Sequence, residues 1–505
     1  MNKYISLTLL LAFFVGPISA QEMRIPFNID STVTTTSQVT IKGQRVPYKA
    51  ITGTQPVWDK DGKPIAGLYF TYYERSDIRD KSKRPIVISF NGGPGSASVW
   101  MHLAYTGPKI LKIDDEGYPV QPYGVKDNPH SILDVADIVF VNPVNTGLSR
   151  PVSTLSDKEV ADKFFGVNMD IQYLAGWVNT FITRQNRWAS PKYLIGESYG
   201  TTRVSGLALE LQDQHWMYLN GVILVSPTDL GLTRGDEMAA ANILPYYSAA
   251  AWFHKQLSPE LQNRDLTDLL DEVEEYTIST LLPALGKGGF LPDQGKQEVA
   301  SQYAKYSGIS EEVILQHNLR VPKQFFWKEL LRHEGFNIGR LDSRYLGIDK
   351  TVAGVQPDYA AELTSWLHSF TPAINMYIKT HLNYHTDLKY NMFGPVRPWD
   401  RSDDTTGDDL RQAMAENPYL HVMVQAGYYD GATDYFNSKF NLWQMDPSGR
   451  LKDRMRWEGY RSGHMMYLRS EDLQTANEDI REFIIQATPP DSMPAQYIRT
   501  ALGGN

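Results

Sequence analysis

The 505-residue sequence contains no cysteine. Disulfides, a thiol nucleophile and cysteine-ligated metal sites are excluded at once, and the fold must be held by its core alone. An excess of positive charge is also missing. Lys and Arg number 49 against 58 Asp and Glu, a net charge of −9. Nothing here suggests a surface for nucleic-acid phosphates. Beyond residue 20 no apolar run is long enough to cross a bilayer, and no internal repeat or long low-complexity tract is present. What is plentiful is aromatic: 11 Trp, 29 Tyr and 19 Phe, within a hydrophobic content of 42%. That is ample for a large core and an aromatic-lined cleft in a globular protein. The length favours two or more structural units, or one large domain carrying an insertion.

Residues 1–20 have the pattern of a secretory signal. Lys3 supplies the positive end, Ile5 to Val15 the apolar stretch, and Ile18-Ser19-Ala20 a small-residue cleavage site. The alternative, a membrane anchor, needs a longer run. Residue 21 is Gln and not Cys, so a lipidated N-terminus at that position is excluded. The expectation is an exported chain, periplasmic or secreted after cleavage near Ala20, with no integral membrane segment in its mature form.

Short apolar runs bounded by turn residues read as buried strands: 67–73, 85–90, 137–141, 221–226 and the run from Tyr193 into Gly196. The spacing over 160–184 predicts a helix. Residues 21–45 are polar and Thr-rich, a strand-forming or loosely attached lead-in. From 228 to 418 helical patterns dominate. Alternation resumes at Tyr419, with a last strand over 451–457 and a terminal helix over 470–487, capped by Ser470. Strands alternating with helices imply a mostly parallel sheet covered on both faces. The expected division is a sheet core in two parts, 21–227 and 419–505, with a mainly helical insertion, 228–418, capping it.

The chain is organised around Tyr193-Leu-Ile-Gly-Glu-Ser-Tyr-Gly200, a strand running into G-x-S-x-G and then a helix. This is the context of a nucleophile elbow, a sharp turn that exposes Ser198 above a sheet. The helix start would aim N–H groups where negative charge develops. Asn91-Gly-Gly-Pro-Gly-Ser96 follows another strand, where this fold class places the second oxyanion donor; a simple turn is the plainer reading. Active sites of such sheets lie at the carboxyl ends of strands. Past one such end lies Asp430, with Asp434 its rival; past the next lies His464. The order Ser198, Asp430, His464 is nucleophile, acid, base. Of the 11 histidines, only His464 follows the acid.

Four blocks together, Asn91-Gly-Gly-Pro-Gly95, Asn142-Pro-Val-Asn-Thr-Gly-Leu-Ser149, Gly196-Glu-Ser-Tyr-Gly200 and the pair Gly427-Tyr-Tyr-Asp430 and Gly463-His464, resemble the serine carboxypeptidase family. Gly339-Arg-Leu-Asp-Ser-Arg-Tyr345 resembles its bacterial exported members, without suggesting a mechanism. The resemblance implies an α/β-hydrolase fold with a helical cap over the cleft. It implies a triad of Ser198, Asp430 and His464, and an oxyanion hole from the N–H groups of Gly93 and Tyr199. Asn91 and Glu197 would bind the substrate's free carboxylate, with Glu197 protonated. Neither a cofactor nor a metal is implied.

Three positions depart from the family pattern. Ser89 stands for a common Trp, Ser96 for a Cys, and Tyr105 for a glutamate that partners the carboxylate-binding one. Without that partner, Glu197 is expected to have a less raised pKa and the protein a less acidic optimum. The leading expectation is a serine carboxypeptidase acting through an acyl-enzyme on peptides with a free C-terminus. An esterase or acyltransferase on the same scaffold, or a non-catalytic binding protein, are the alternatives. Side-chain preference, physiological substrate and oligomeric state are not legible.

Overall fold

The computed structural model describes residues 27–232, 235–490 and 492–497; the expected signal segment lies outside them. Nine strands order the main sheet: β1 (Ser31–Ile41), β2 (Gln44–Trp58), β3 (Pro64–Arg75), β4 (Ile86–Phe90), β5 (Asp137–Val141), β6 (Lys192–Glu197), β7 (Gly221–Val225), β8 (His421–Gly427) and β9 (Met455–Tyr460). Their spatial order is β1-β2-β3-β5-β4-β6-β7-β8-β9, with the short Arg150–Pro151 strand paired to β3. From β5 onward every pairing is parallel; β1, β2 and β3 add an antiparallel edge. The Thr-rich lead-in is therefore a full strand, since β1 pairs with β2 from Ser31 to Ile41. Its alternating half-buried pattern suits an edge strand with one wet face.

The central strands are apolar on both sides because both faces are covered. Val87, Ile138, Ile195 and Ile223 point to one face, where Ala361–Thr380 and Ser470–Ala487 pack. Ile88, Val139, Leu194 and Val222 point to the other, under Val167–Arg184, Tyr199–His215 and Thr406–Glu416. Successive residues take opposite faces, as the pleat requires. This is the mostly parallel α/β architecture expected of the sequence.

The helix-rich interval 228–418 is not one body. Its first part, from Asp236–Asn242 to Lys323–Glu329, gathers around a core of its own in which Tyr247 stacks on Phe326 with ring centres 3.7 Å apart. Ala361–Thr380 and Thr406–Glu416 instead complete the two layers on the sheet. Elsewhere the boundaries shift. The helix expected over 160–184 is two, Asp157–Phe164 and Val167–Arg184, broken at Gly166. The last strand begins at Met455, after a single turn of 3-10 helix. Ser470 does not cap the terminal helix but lies within it, its hydroxyl donating to Asp115 at 2.9 Å.

In place of disulfides the interior holds buried ion pairs. Asp137, opening β5, accepts from both Arg84 and Arg187. Arg203 pairs with Asp170 at 2.7 Å. Removing one partner of such a pair typically costs about 3–5 kcal/mol, because the other charge is left buried and alone.

Candidate active site

β6 ends at Glu197, and the helix Tyr199–His215 begins two residues later. Ser198, between them, has φ 58° and ψ −128°, a backbone geometry rare for a residue with a side chain. Serine at such a position usually caps the helix through its oxygen. Ser198 makes no capping bond, so its hydroxyl remains available. Glycine is required nearby for close approach. A Cβ on Gly200 would sit 2.7 Å from the Phe90 carbonyl, and one on Gly92 would sit 2.4 Å from the Tyr199 nitrogen. The Gly-rich loop after β4 thus lies directly against the elbow. The Tyr199 N–H is the first of its helix and has no carbonyl one turn earlier to bond.

That loop is braced by a residue of each neighbouring block. Arg203 donates to the Asn91 carbonyl at 2.6 Å. Ser98 accepts from Asn91 N–H at 3.2 Å, while its own N–H donates to Asn142 Oδ1 at 3.0 Å. The Asn142–Ser149 block therefore serves the loop and does not touch the cavity. Ser96, in the family's cysteine position, accepts from the Trp100 indole at 2.7 Å.

Asp430 and His464 come together from loops past the ends of β8 and β9. His464 Nδ1 lies 2.6 Å from Asp430 Oδ2, and both side chains are buried. Asp430 also accepts from the N–H groups of Ala432 and Thr433 and from the Thr433 hydroxyl, at 2.8, 3.1 and 2.7 Å. Four donors suit an ionised carboxylate. Burial pulls the His464 pKa down, but the charge and hydrogen bond of Asp430, with the charge of Glu197, outweigh it and leave it raised. Nδ1 being engaged, Nε2 is the nitrogen that can take a proton. Asp434 is occupied elsewhere, with Lys323 at 2.7 Å and Asn437.

Ser198, His464, Glu197 and Gly93 line one cavity of about 160 Å³, walled by Trp100, Trp366, Leu363, Phe393 and Met465. Glu197 is buried and accepts from Asn91 Nδ2 at 3.0 Å and from the Tyr467 hydroxyl. Burial raises its pKa to about 7, against the opposing pull of His464, Tyr467 and Asn91. Tyr105 does not reach it. Its hydroxyl donates to Gln425 at 2.6 Å while its ring stacks on Tyr467, centres 4.6 Å apart. So Tyr467, not residue 105, is the partner of Glu197. Even without a second carboxylate, burial keeps this one near neutrality.

Sequence reasoning missed what holds the histidine. The His464 N–H donates to the Leu341 carbonyl at 2.7 Å, and its own carbonyl accepts from Ser226 at 2.7 Å. Leu341 N–H in turn donates to Glu362 at 2.8 Å. A Cβ on Gly463 would strike Asp342 at 2.5 Å. Gly339–Tyr345 is thus a wedge between the acid and histidine loops. Its matching sequence block was the one available signal.

Comparisons with known proteins bear on the fold and on the family that part of the chain resembles. The family described as serine carboxypeptidase matches residues 43–262. Over those residues the chain is similar to the serine carboxypeptidase family. Serine carboxypeptidase-like 36 of Arabidopsis thaliana is 29% identical over 167 residues, 32% of each chain. Carboxypeptidase Y of Schizosaccharomyces pombe is 27% identical over 150 residues, 29% of this chain and 13% of that one. The chain spans about a third or less of the length of these curated relatives. A prohormone-processing carboxypeptidase from Saccharomyces cerevisiae shares the fold, with a TM-score of 0.52 at 13% identity over 87% of this chain and 92% of that one. Asp430 and His464 lie beyond the matched span, so their pairing rests on the geometry above. Among the described residues no group of His, Asp and Glu could hold a metal ion, and no helix is long and apolar enough to cross a membrane.

Proposed function

We propose that the protein is a serine carboxypeptidase that removes C-terminal residues from peptides. The observation that carries this reading is the cavity itself: the hydroxyl of Ser198 and the imidazole of His464 share it with a buried carboxyl, Glu197, paired to Asn91. A hydrolase needs the first two; the last two suit an enzyme that reads a terminal carboxylate. Below a pH of about 7 Glu197 is protonated and can donate to that carboxylate.

In this reading Ser198 Oγ attacks the carbonyl carbon of the last peptide bond as His464 Nε2 takes its proton. Asp430 orients the ring and stabilises its cation. The N–H groups of Tyr199 and Gly93 stabilise the oxyanion. The intermediate collapses, the proton passes from His464 to the departing amine, and an acyl-Ser198 ester remains. Water, deprotonated by the same histidine, hydrolyses it.

The test compares a peptide bearing a free C-terminus with its C-terminal amide. The free acid should be cleaved far faster; equal rates would leave an esterase or acyltransferase as the better reading. A serine-directed phosphonate should label the protein and fail on Ser198→Ala; a native protein that resists labelling would be a binding protein on this fold. Lys3, the apolar run to Val15 and Ile18-Ser19-Ala20 support export. N-terminal sequencing of the mature protein should begin near Gln21.

A further inference from the structure

The Gly339–Tyr345 wedge carries one residue that its bracing role does not use. Arg340 is exposed on the wall of the catalytic cavity, which it shares with Ser198 and His464. Its backbone is pinned: the Arg340 carbonyl accepts from Gly431 N–H at 3.0 Å, and Leu341 beside it is held on both sides by His464 and Glu362. Among the described residues its guanidinium makes no hydrogen bond and no ion pair. Of the carboxylates nearby, Asp342, Asp430 and Glu197 are committed elsewhere, while one buried oxygen of Glu362 has no hydrogen-bond partner and feels the Arg340 charge from beyond ion-pair distance. Asp342 is taken by Arg344, at 2.7 and 3.0 Å. Asp430 holds His464, and Glu362 gives an oxygen to Leu341 N–H without coming within ion-pair distance of Arg340. Apart from Ser96, Glu197, Ser198 and His464, the side chains on the rest of the wall are apolar. An unpaired cation on a fixed backbone, beside indole and aliphatic side chains, suits a ligand group with a methylene stem and a terminal carboxylate.

We propose that Arg340 forms a subsite for an acidic side chain next to the scissile bond, giving a preference for Glu or Asp at one of the last two substrate positions. The proposal rests on the carboxypeptidase reading and deepens it. An exposed ion pair alone is weak, but apolar walls reduce screening, and discrimination on the order of tenfold is the expected scale. The Arg340 charge also opposes protonation of His464, so an anionic side chain seated there offsets that opposition while the amine departs.

Two series of pentapeptides test it, varying only the last or only the penultimate residue among Glu, Gln and Lys, at pH 6 in low and high salt. The readout is the ratio of kcat/KM for Glu over Gln within each protein, so a general loss of activity cancels. In the native protein the ratio should be about tenfold in one series and shrink with salt. It should fall to about one in Arg340→Gln, and Lys should become preferred in Arg340→Glu. A native ratio near one in both series overturns the subsite. So does a ratio unchanged in Arg340→Gln, or an equal loss on Glu- and Gln-bearing peptides, which would assign Arg340 to the terminal carboxylate common to all of them. If Gln-bearing peptides are cleaved and Glu-bearing ones are not favoured, the subsite fails alone. If the native protein cleaves none, the carboxypeptidase reading fails and the subsite with it.

Discussion

Asn91 and Ser198 are held by neighbours from the first half of the chain, chiefly by backbone meeting backbone: Gly92 against the Tyr199 nitrogen, Gly200 against the Phe90 carbonyl; Glu197 beside them accepts in addition from Tyr467. Asp430 and His464 are held differently. Their loops meet across a wedge, Gly339–Tyr345, that follows the helical insertion, and the decisive contacts are individual hydrogen bonds, between His464 and both Leu341 and Ser226, and from Ala432 and Thr433 to Asp430. The first arrangement tolerates almost no substitution because there is no room for one. The second can be loosened one bond at a time. The nucleophile and carboxylate clamp are therefore expected to fail by loss of folding or chemistry outright, and the base by graded misplacement.

Substitution should separate the two. Ser198→Ala or His464→Ala should lower kcat by about 10⁴–10⁶-fold with an unchanged circular dichroism spectrum; a residual rate within tenfold of native would remove either from the chemistry. Gly92→Ala comes next, losing about 1–3 kcal/mol of stability through overpacking and most of the activity with it. A calorimetric melt matching the native one would show that the loop and elbow can part. Glu362→Ala strips the acceptor from Leu341 N–H and should reduce kcat about tenfold with little change in KM. Glu362→Gln, which keeps an oxygen there, should restore it. Equal effects of the two variants would deny the wedge its positioning role.

The smallest effects concern pH. Glu197 has its folded pKa raised from 4.5 to about 7. Its favourable contribution is complete below about 4.5, where the carboxyl is protonated folded or unfolded, and is lost as pH rises through about 7. KM should rise over the same upper range, as an ionised Glu197 repels the substrate carboxylate. In Glu197→Gln both the KM rise and that part of the loss in melting temperature should vanish. Tyr467→Phe removes a donor that lowers this pKa, so the KM rise should move to higher pH; movement the other way would contradict the hydrogen bond.

The same contrast governs how much the sequence reveals. Strands β4 to β8 are legible because burial on both faces leaves short apolar runs between turns, and Ser198 because its elbow is confined to a few adjacent residues. The ordering of acid and base selects Asp430 and His464, but not the wedge behind them, since Leu341 and Glu362 act through a backbone carbonyl and a buried carboxylate that no local pattern marks. The 228–418 interval misleads for a related reason. Helical spacing records an apolar face, not its partner, so Thr406–Glu416 on the sheet and Lys323–Glu329 in the insertion look alike. Tyr467 is hidden similarly, reaching Glu197 from a turn whose sequence signals only a loop.

Arg340 and Leu341 are consecutive, one side chain turned to the cavity and the next carbonyl bound to the base. Recombination between relatives that exchanges this loop to change selectivity will also retune proton transfer. Crossovers for chimaeras belong outside residues 339–345, and a library confined to the Arg340 side chain is the route to altered preference that leaves the histidine's strut intact.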